Sequence, residues 1–212
     1  MLRFRLFGIP VQVHWFFWLV AAMLGGGLSG PMTPGKGQHL LVWVVVVFVS
    51  IMVHELGHAF MYRRFGGTPS ISLYSLGGVT SAIGRYDRKQ TILITAAGPA
   101  FGFALALVAI LLSQGAGNAH PLARQAIGML VWINVFWTVM NLLPVLPLDG
   151  GQILNALLGP QRLRTTVTVG MVVAGLVALW ALSVGLLFVA ILFGFMAFSN
   201  FQRSRGKQTN FF

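Results

Sequence analysis

The chain has 212 residues, 57% of them hydrophobic and 8% charged, with a mean hydropathy of +0.83. Soluble domains carry roughly 25% charged residues, so a water-soluble globule is excluded and a polytopic membrane protein, folded as a single domain over residues 1–212, is expected. The net charge of +11 comes from basic residues that flank apolar runs and form no stripe with interleaved aromatics, which excludes nucleic-acid binding, and the absence of cysteine excludes a disulfide framework or a thiol nucleophile.

A bilayer core of about 30 Å takes about 20 apolar residues per helix. The first predicted span, residues 11–28, follows Arg3 and Arg5; it is long for a signal peptide and no small-residue cleavage site follows it, so it is expected to be retained. The second, residues 40–62, closes at Arg63-Arg64. Ile71, Leu73, Leu76, Val79 and Ile83 then alternate with Ser, Thr and Gly around Gly77-Gly78, which predicts a small re-entrant β-hairpin or sheet after the second helix. Non-helical backbone at membrane depth needs protein or a wet cavity around it.

Residues 91–112 form the third predicted span. The fourth, residues 122–158, is broken at 144–148, because Pro144 and Pro147 each remove a backbone donor. The last apolar run folds back near Ser183-Val184-Gly185 into spans at 166–182 and 186–201, followed by a basic cytoplasmic tail at 202–212. The fold class is thus an all-α membrane protein of about six transmembrane helices. With both termini inside, Arg3, Arg5, Arg63, Arg64, Arg85, Arg88, Lys89, Arg162, Arg164, Arg203, Arg205 and Lys207 fall on the cytoplasmic side and only Lys36 and Arg124 outside, the asymmetry of the positive-inside rule.

His54-Glu55-Leu56-Gly57-His58 lies within the second span. Positions i and i+4 of a helix share one face, so both imidazoles reach one metal, and Glu55 is placed to reach a water in its open coordination position. Burying three ionisable groups at membrane depth is costly, which favours function over packing. Zinc accepts imidazole and carboxylate ligands and keeps an open catalytic position. His14, His39 and His120 sit near span ends or in loops, where interfacial or solvated roles suit them. Asp87 lies among Arg85, Arg88 and Lys89 and reads as a surface ion pair. Depth along the helices brings Asp149 level with the histidines, so it is the candidate third ligand, whether or not it also caps the helix ahead of Gly150-Gly151.

The helix-borne His54–His58 motif, followed by Asn141-Leu142-Leu143-Pro144-Val145-Leu146-Pro147-Leu148-Asp149-Gly150-Gly151, resembles the site-2 protease family of intramembrane metalloproteases. Ala96-Ala97-Gly98-Pro99-Ala100 is similar to the family's small-residue motif in span three, and Gly77-Gly78 falls where the family has a glycine-containing β-segment. The resemblance implies one catalytic Zn2+ held by His54, His58 and Asp149, with Glu55 as general base. It also implies that Asn141, with Asn134 as a second candidate, positions the scissile peptide or steadies its oxyanion; for Asn134 a helix–helix hydrogen bond is the favoured reading. The implied substrate is a membrane-anchored protein, of the transcription-factor or anti-sigma type, cleaved in regulated intramembrane proteolysis.

The implied setting is a prokaryotic inner membrane with the active site towards the cytoplasm. Many relatives carry a PDZ or CBS module; this chain has room for neither, so recognition falls to the core, its loops or a regulatory membrane partner. A substrate helix must unwind to be cut, and an edge strand within residues 71–83 could hold the unwound segment by β-augmentation. Two other classes compete. A metal-ion transporter would need no Glu55 and would usually show polar residues along a path, whereas no ionisable residue lies between Thr165 and Asn200. A catalytically silent scaffold would have no reason to keep all three ligands and the base.

Overall fold

The computed structural model describes residues 1–27, 33–74, 77–115, 117 and 120–206. Of the expectations above, Leu28, Leu76 and the tail from Lys207 lie outside them. The chain divides into two compact units, the first formed by residues 1–85 and 97–138 and the second by residues 86–96 and those from 139 onward.

The first unit opens with strands β1 (Leu2–Leu6) and β2 (Ile9–Val13), joined through Phe7 and Gly8, whose φ values of 52° and 77° make the tight turn that a two-residue hairpin requires. Strands β3 (Thr68–Tyr74) and β4 (Gly77–Ile83) form a second antiparallel pair, in register Ile71↔Thr80 and Leu73↔Gly78. Parallel pairing of Val11 with Ile71 joins the two hairpins into one sheet of order β1-β2-β3-β4. The expected hairpin after the second helix is therefore half of a four-stranded sheet. Its other half takes up the start of the run expected as span one.

Alternation in β2 and β3 turns Ile9, Val11, Val13, Ile71 and Leu73 to one side, where they are buried against Ile51, Met52, Leu56 and Ala59. Those four residues belong to helix α2 (Pro34–Arg64). Phe17 of the ten-residue helix α1 (Trp15–Leu24) completes this core. The start of α2 is fixed by Pro34 in its first turn and by Thr33, whose hydroxyl accepts the Lys36 N–H at 3.3 Å. Its end carries Arg63 and Arg64, which suit the negative end of the helix dipole. Helix α3 (Arg88–Gly115) runs through both units, and helix α4 (Pro121–Asn141) is tied to α2 by Asn134 Nδ2, which donates to Ser50 Oγ at 2.8 Å.

Ahead of α3, Asp87, expected from its basic neighbours to be a surface ion-pair member, has no ion pair among the described residues. It forms a capping box: Gln90 N–H donates to Asp87 Oδ1 at 2.8 Å and Asp87 N–H donates to Gln90 Oε1 at 3.0 Å. In the second unit, helix α5 (Asp149–Leu158) follows the proline-bearing stretch and leads through a 3-10 turn (Pro160–Arg162) to helices α6 (Leu163–Ser183) and α7 (Leu187–Ser204). Gly185, at φ 75°, makes the reversal between them. Gly170, Ala174, Ala178 and Ala181 bury one face of α6, and Phe193 and Met196 of α7 join Ala174, Ala178 and Val145 in a second core.

Among the described residues, α2, α3, α4, α6 and α7 are long and apolar enough to cross a membrane. With their outward leucines, valines and phenylalanines exposed, they make the chain an integral, multi-pass membrane protein.

Candidate metal centre

In the first unit, His54, Glu55 and His58 are only 6%, 5% and 8% exposed, although all three are ionisable and sit in an apolar helix. The Nε2 atoms of His54 and His58 stand 3.2 Å apart. Two nitrogens each about 2.0–2.1 Å from a tetrahedral zinc are separated by roughly 3.3 Å, so the pair is set at the spacing one ion needs. The donor chemistry and this convergence both fit zinc.

Room for the imidazoles comes from helix α3. A Cβ on Gly98 would overlap His58 Nε2 and stand 2.8 Å from His54 Nε2. A Cβ on Gly57 would lie 3.1 Å from the Gly98 Cα, so α2 and α3 meet backbone to backbone beside the pair. This gives the Ala96–Ala100 run its physical reason: only glycine at 98 leaves space for two rings.

Strand β4 reaches the third member of the motif. The Thr80 hydroxyl donates to Glu55 Oε2 at 2.6 Å, and a Cβ on Gly78 would be 2.6 Å from Glu55 Oε1. Neither contact was legible as a site feature, because both depend on how the sheet packs on α2. The signal available was weaker: Gly78 and Thr80 are two residues apart and so share a face of a strand.

The other histidines have local partners. His14 stacks on Tyr74 with ring centroids 4.4 Å apart, His39 meets the Gln125 amide, and His120 Nδ1 accepts the Leu122 N–H at 3.3 Å. Asn134 is committed to Ser50 and the Leu130 carbonyl, the packing role favoured from sequence.

In the second unit, Asp149 is the first residue of α5, 7% exposed, and its carboxylate lies at the positive end of the helix dipole. Leu148 occupies the N-cap position. Gly150 and Gly151 let the preceding loop fold onto this turn: added Cβ atoms would collide with the backbone of Leu142 and Leu143 in one case and of Val145 and Leu146 in the other. Asn200 of α7, fully buried, donates to the Leu146 carbonyl at 2.7 Å and the Met196 carbonyl at 2.8 Å. Asn141 is the last residue of α4.

Comparison with known proteins matches the chain to the model of peptidase family M50 over residues 42–120 and 114–182. A zinc metalloprotease of Methanocaldococcus jannaschii is 29% identical over 162 residues, covering 74% of this chain and 45% of the relative. Stage IV sporulation protein FB of Bacillus subtilis is 28% identical over 207 residues, covering 93% of this chain and 67% of the relative. This chain thus spans less than half the length of the Methanocaldococcus protein. Among solved structures, the site-2 protease from Methanocaldococcus jannaschii superposes with a TM-score of 0.65 at 25% identity, covering 100% of this chain and 98% of that one. A family model spanning most of the chain, a shared fold and a paired-histidine helix that suits zinc together establish that this protein is a member of peptidase family M50, with the fold of a site-2 protease.

Proposed function

We propose that this protein is an intramembrane zinc endopeptidase that hydrolyses a peptide bond within or near the transmembrane segment of a membrane-anchored protein. The observation that carries the reading is the 3.2 Å convergence of the two imidazole nitrogens on a helix that also buries Glu55. Asp149 is the third ligand in this reading. In its support, Asp149 is a carboxylate only 7% exposed in the first turn of α5, and zinc accepts a carboxylate beside imidazole ligands.

Zinc, when bound, acts as a Lewis acid on the scissile carbonyl and makes the attacking water more acidic. Glu55 takes the proton from that water and later delivers it to the leaving nitrogen. Asn141 donates a side-chain N–H to the oxygen that gains negative charge, a contribution of about 3 kcal/mol at other oxyanion sites. The substrate helix unwinds before cleavage. Strand β4 holds the unwound segment, since it pairs only with β3 and its other edge carries no strand among the described residues. Regulated release of a transcription factor or anti-sigma-type regulator, with a further membrane protein controlling access, is the setting that the family resemblance supports.

For topology we infer six crossings with both termini cytoplasmic. Strand β2 is hydrogen-bonded to β3, near the Arg64 end of α2, whereas Trp43, two turns into α2, donates to the Ala21 carbonyl of α1 at 2.9 Å. Helix α1 thus runs back along α2 towards its start; its ten residues rise only about 15 Å, so in this reading the chain flanking α1 completes the sixth crossing.

The test compares the purified protein with Glu55→Gln on a generic single-span membrane protein in detergent, with metal analysis of both. Wild type is expected to cleave, and Glu55→Gln to lose about 10²–10⁴-fold while both hold about one zinc. Cleavage by Glu55→Gln at the wild-type rate would overturn the reading.

A further inference from the structure

We propose that Thr80 is a positioning residue for Glu55, holding the carboxylate of the general base from strand β4. The proposal rests on the reading of Glu55 as that base. The Thr80 oxygen lies 2.6 Å from Glu55 Oε2 and 3.1 Å from the Glu55 main-chain carbonyl. A hydroxyl has one proton, and the shorter contact to a carboxylate oxygen takes it. Gly78 stands two residues earlier on the same face of β4, and a Cβ there would be 2.6 Å from both Glu55 Cδ and Oε1. The strand therefore meets both oxygens of one carboxylate: Oε2 through a hydroxyl, Oε1 through a backbone that carries no side chain.

The chemistry gives this arrangement a purpose. A glutamate has three rotatable side-chain bonds, and a base that must meet one water gains rate from being held in one rotamer. With Oε2 engaged by Thr80, Oε1 is the oxygen left to take the proton. A valine at position 80 would fill the same space without donating, so shape and hydrogen bonding can be separated by mutation.

Glu55 is the sole glutamate of the chain, whose only other acids are Asp87 and Asp149. Protein grown on [13C]carboxyl-labelled glutamate thus reports one side-chain carboxylate by isotope-edited infrared spectroscopy, independently of turnover. Thr80→Val, Thr80→Ala and Thr80→Ser would be compared with wild type for this band, zinc content, kcat and KM. Both Thr80→Val and Thr80→Ala are expected to shift the band and lower kcat about ten- to hundredfold with KM and zinc unchanged, and Thr80→Ser is expected to restore both readouts. A band unmoved in Thr80→Val and Thr80→Ala, or a wild-type kcat in either, overturns the proposal. So does a loss that serine fails to restore. If wild type and Glu55→Gln prove equally inactive, the protease reading fails, whereas the band still decides whether Thr80 holds Glu55.

Discussion

The Asn200 side chain donates to the Leu146 carbonyl at 2.7 Å, tying helix α7, one turn from its C-terminal end, to the loop three residues ahead of Asp149. Gly170 of α6 leaves the space: a Cβ there would lie 2.9 Å from Asn200 Oδ1 and 3.3 Å from the Pro144 carbonyl. A lone asparagine in an apolar helix is thus the clamp on the loop that presents the candidate ligand.

Asn200→Leu removes that clamp and takes the side-chain donor from the buried Leu146 carbonyl, at a cost of about 1–3 kcal/mol. The expected result is a lower midpoint of thermal unfolding in detergent together with weaker zinc retention. Measurement of both on one preparation checks it, and unchanged zinc retention would show that the loop holds its course without Asn200.

Gly98→Ala gives a prediction whose sign opposes the usual trend. In a helix interior this exchange normally stabilises by up to about 1 kcal/mol. Here the added methyl meets the His58 and His54 rings, so zinc content should fall well below one per chain while the far-ultraviolet helix signal stays unchanged. Metal analysis beside circular dichroism distinguishes this from general unfolding.

The two asparagines of α4 should separate. Asn134→Ala loses its hydrogen bond to Ser50, an interhelical contact of about 0.6 kcal/mol, and should leave kcat close to wild type. Asn141→Ala should cost about a hundredfold in kcat with zinc retained, if its amide meets the developing oxyanion. Equal kcat losses in both variants would count against the assignment of Asn141.

The residues that could be read in advance are those whose meaning is local. His54 and His58 share a helix face by spacing alone, the alternating apolar residues on either side of Gly77-Gly78 form paired strands, and Pro144 and Pro147 fall in the gap between α4 and α5. What escaped depends on partners distant in the chain. Arg3 and Arg5 read as the flank of a span because β2 finds its partner in β3, beyond the whole of α2. Asp87 read as one charge among basic neighbours, although its spacing to Gln90 is that of a capping box. Thr80 and Asn200 gain their roles only when the sheet packs on α2 and the loop packs on α7.

Strand docking also becomes testable at a better position. A proline at Gly78 would disturb Glu55 directly, whereas Val79 is 53% exposed on the opposite face of β4. The chain has no cysteine, so Val79→Cys provides a single reactive thiol. It should crosslink with a short bridging reagent to a substrate carrying one cysteine beside its scissile bond, and far less to a substrate with the cysteine at the remote end of its span. Equal yields from the two would remove the docking role.

The sheet ends in two unequal borders. One is β1, whose exposed Arg3 and Arg5 set guanidinium groups along it; the other is β4, which carries no charge at all. Charged borders discourage strand pairing and uncharged ones invite it. An extended chain arriving at this sheet thus meets a choice already biased: the side that welcomes it is the one lying against Glu55, and the far side is fenced.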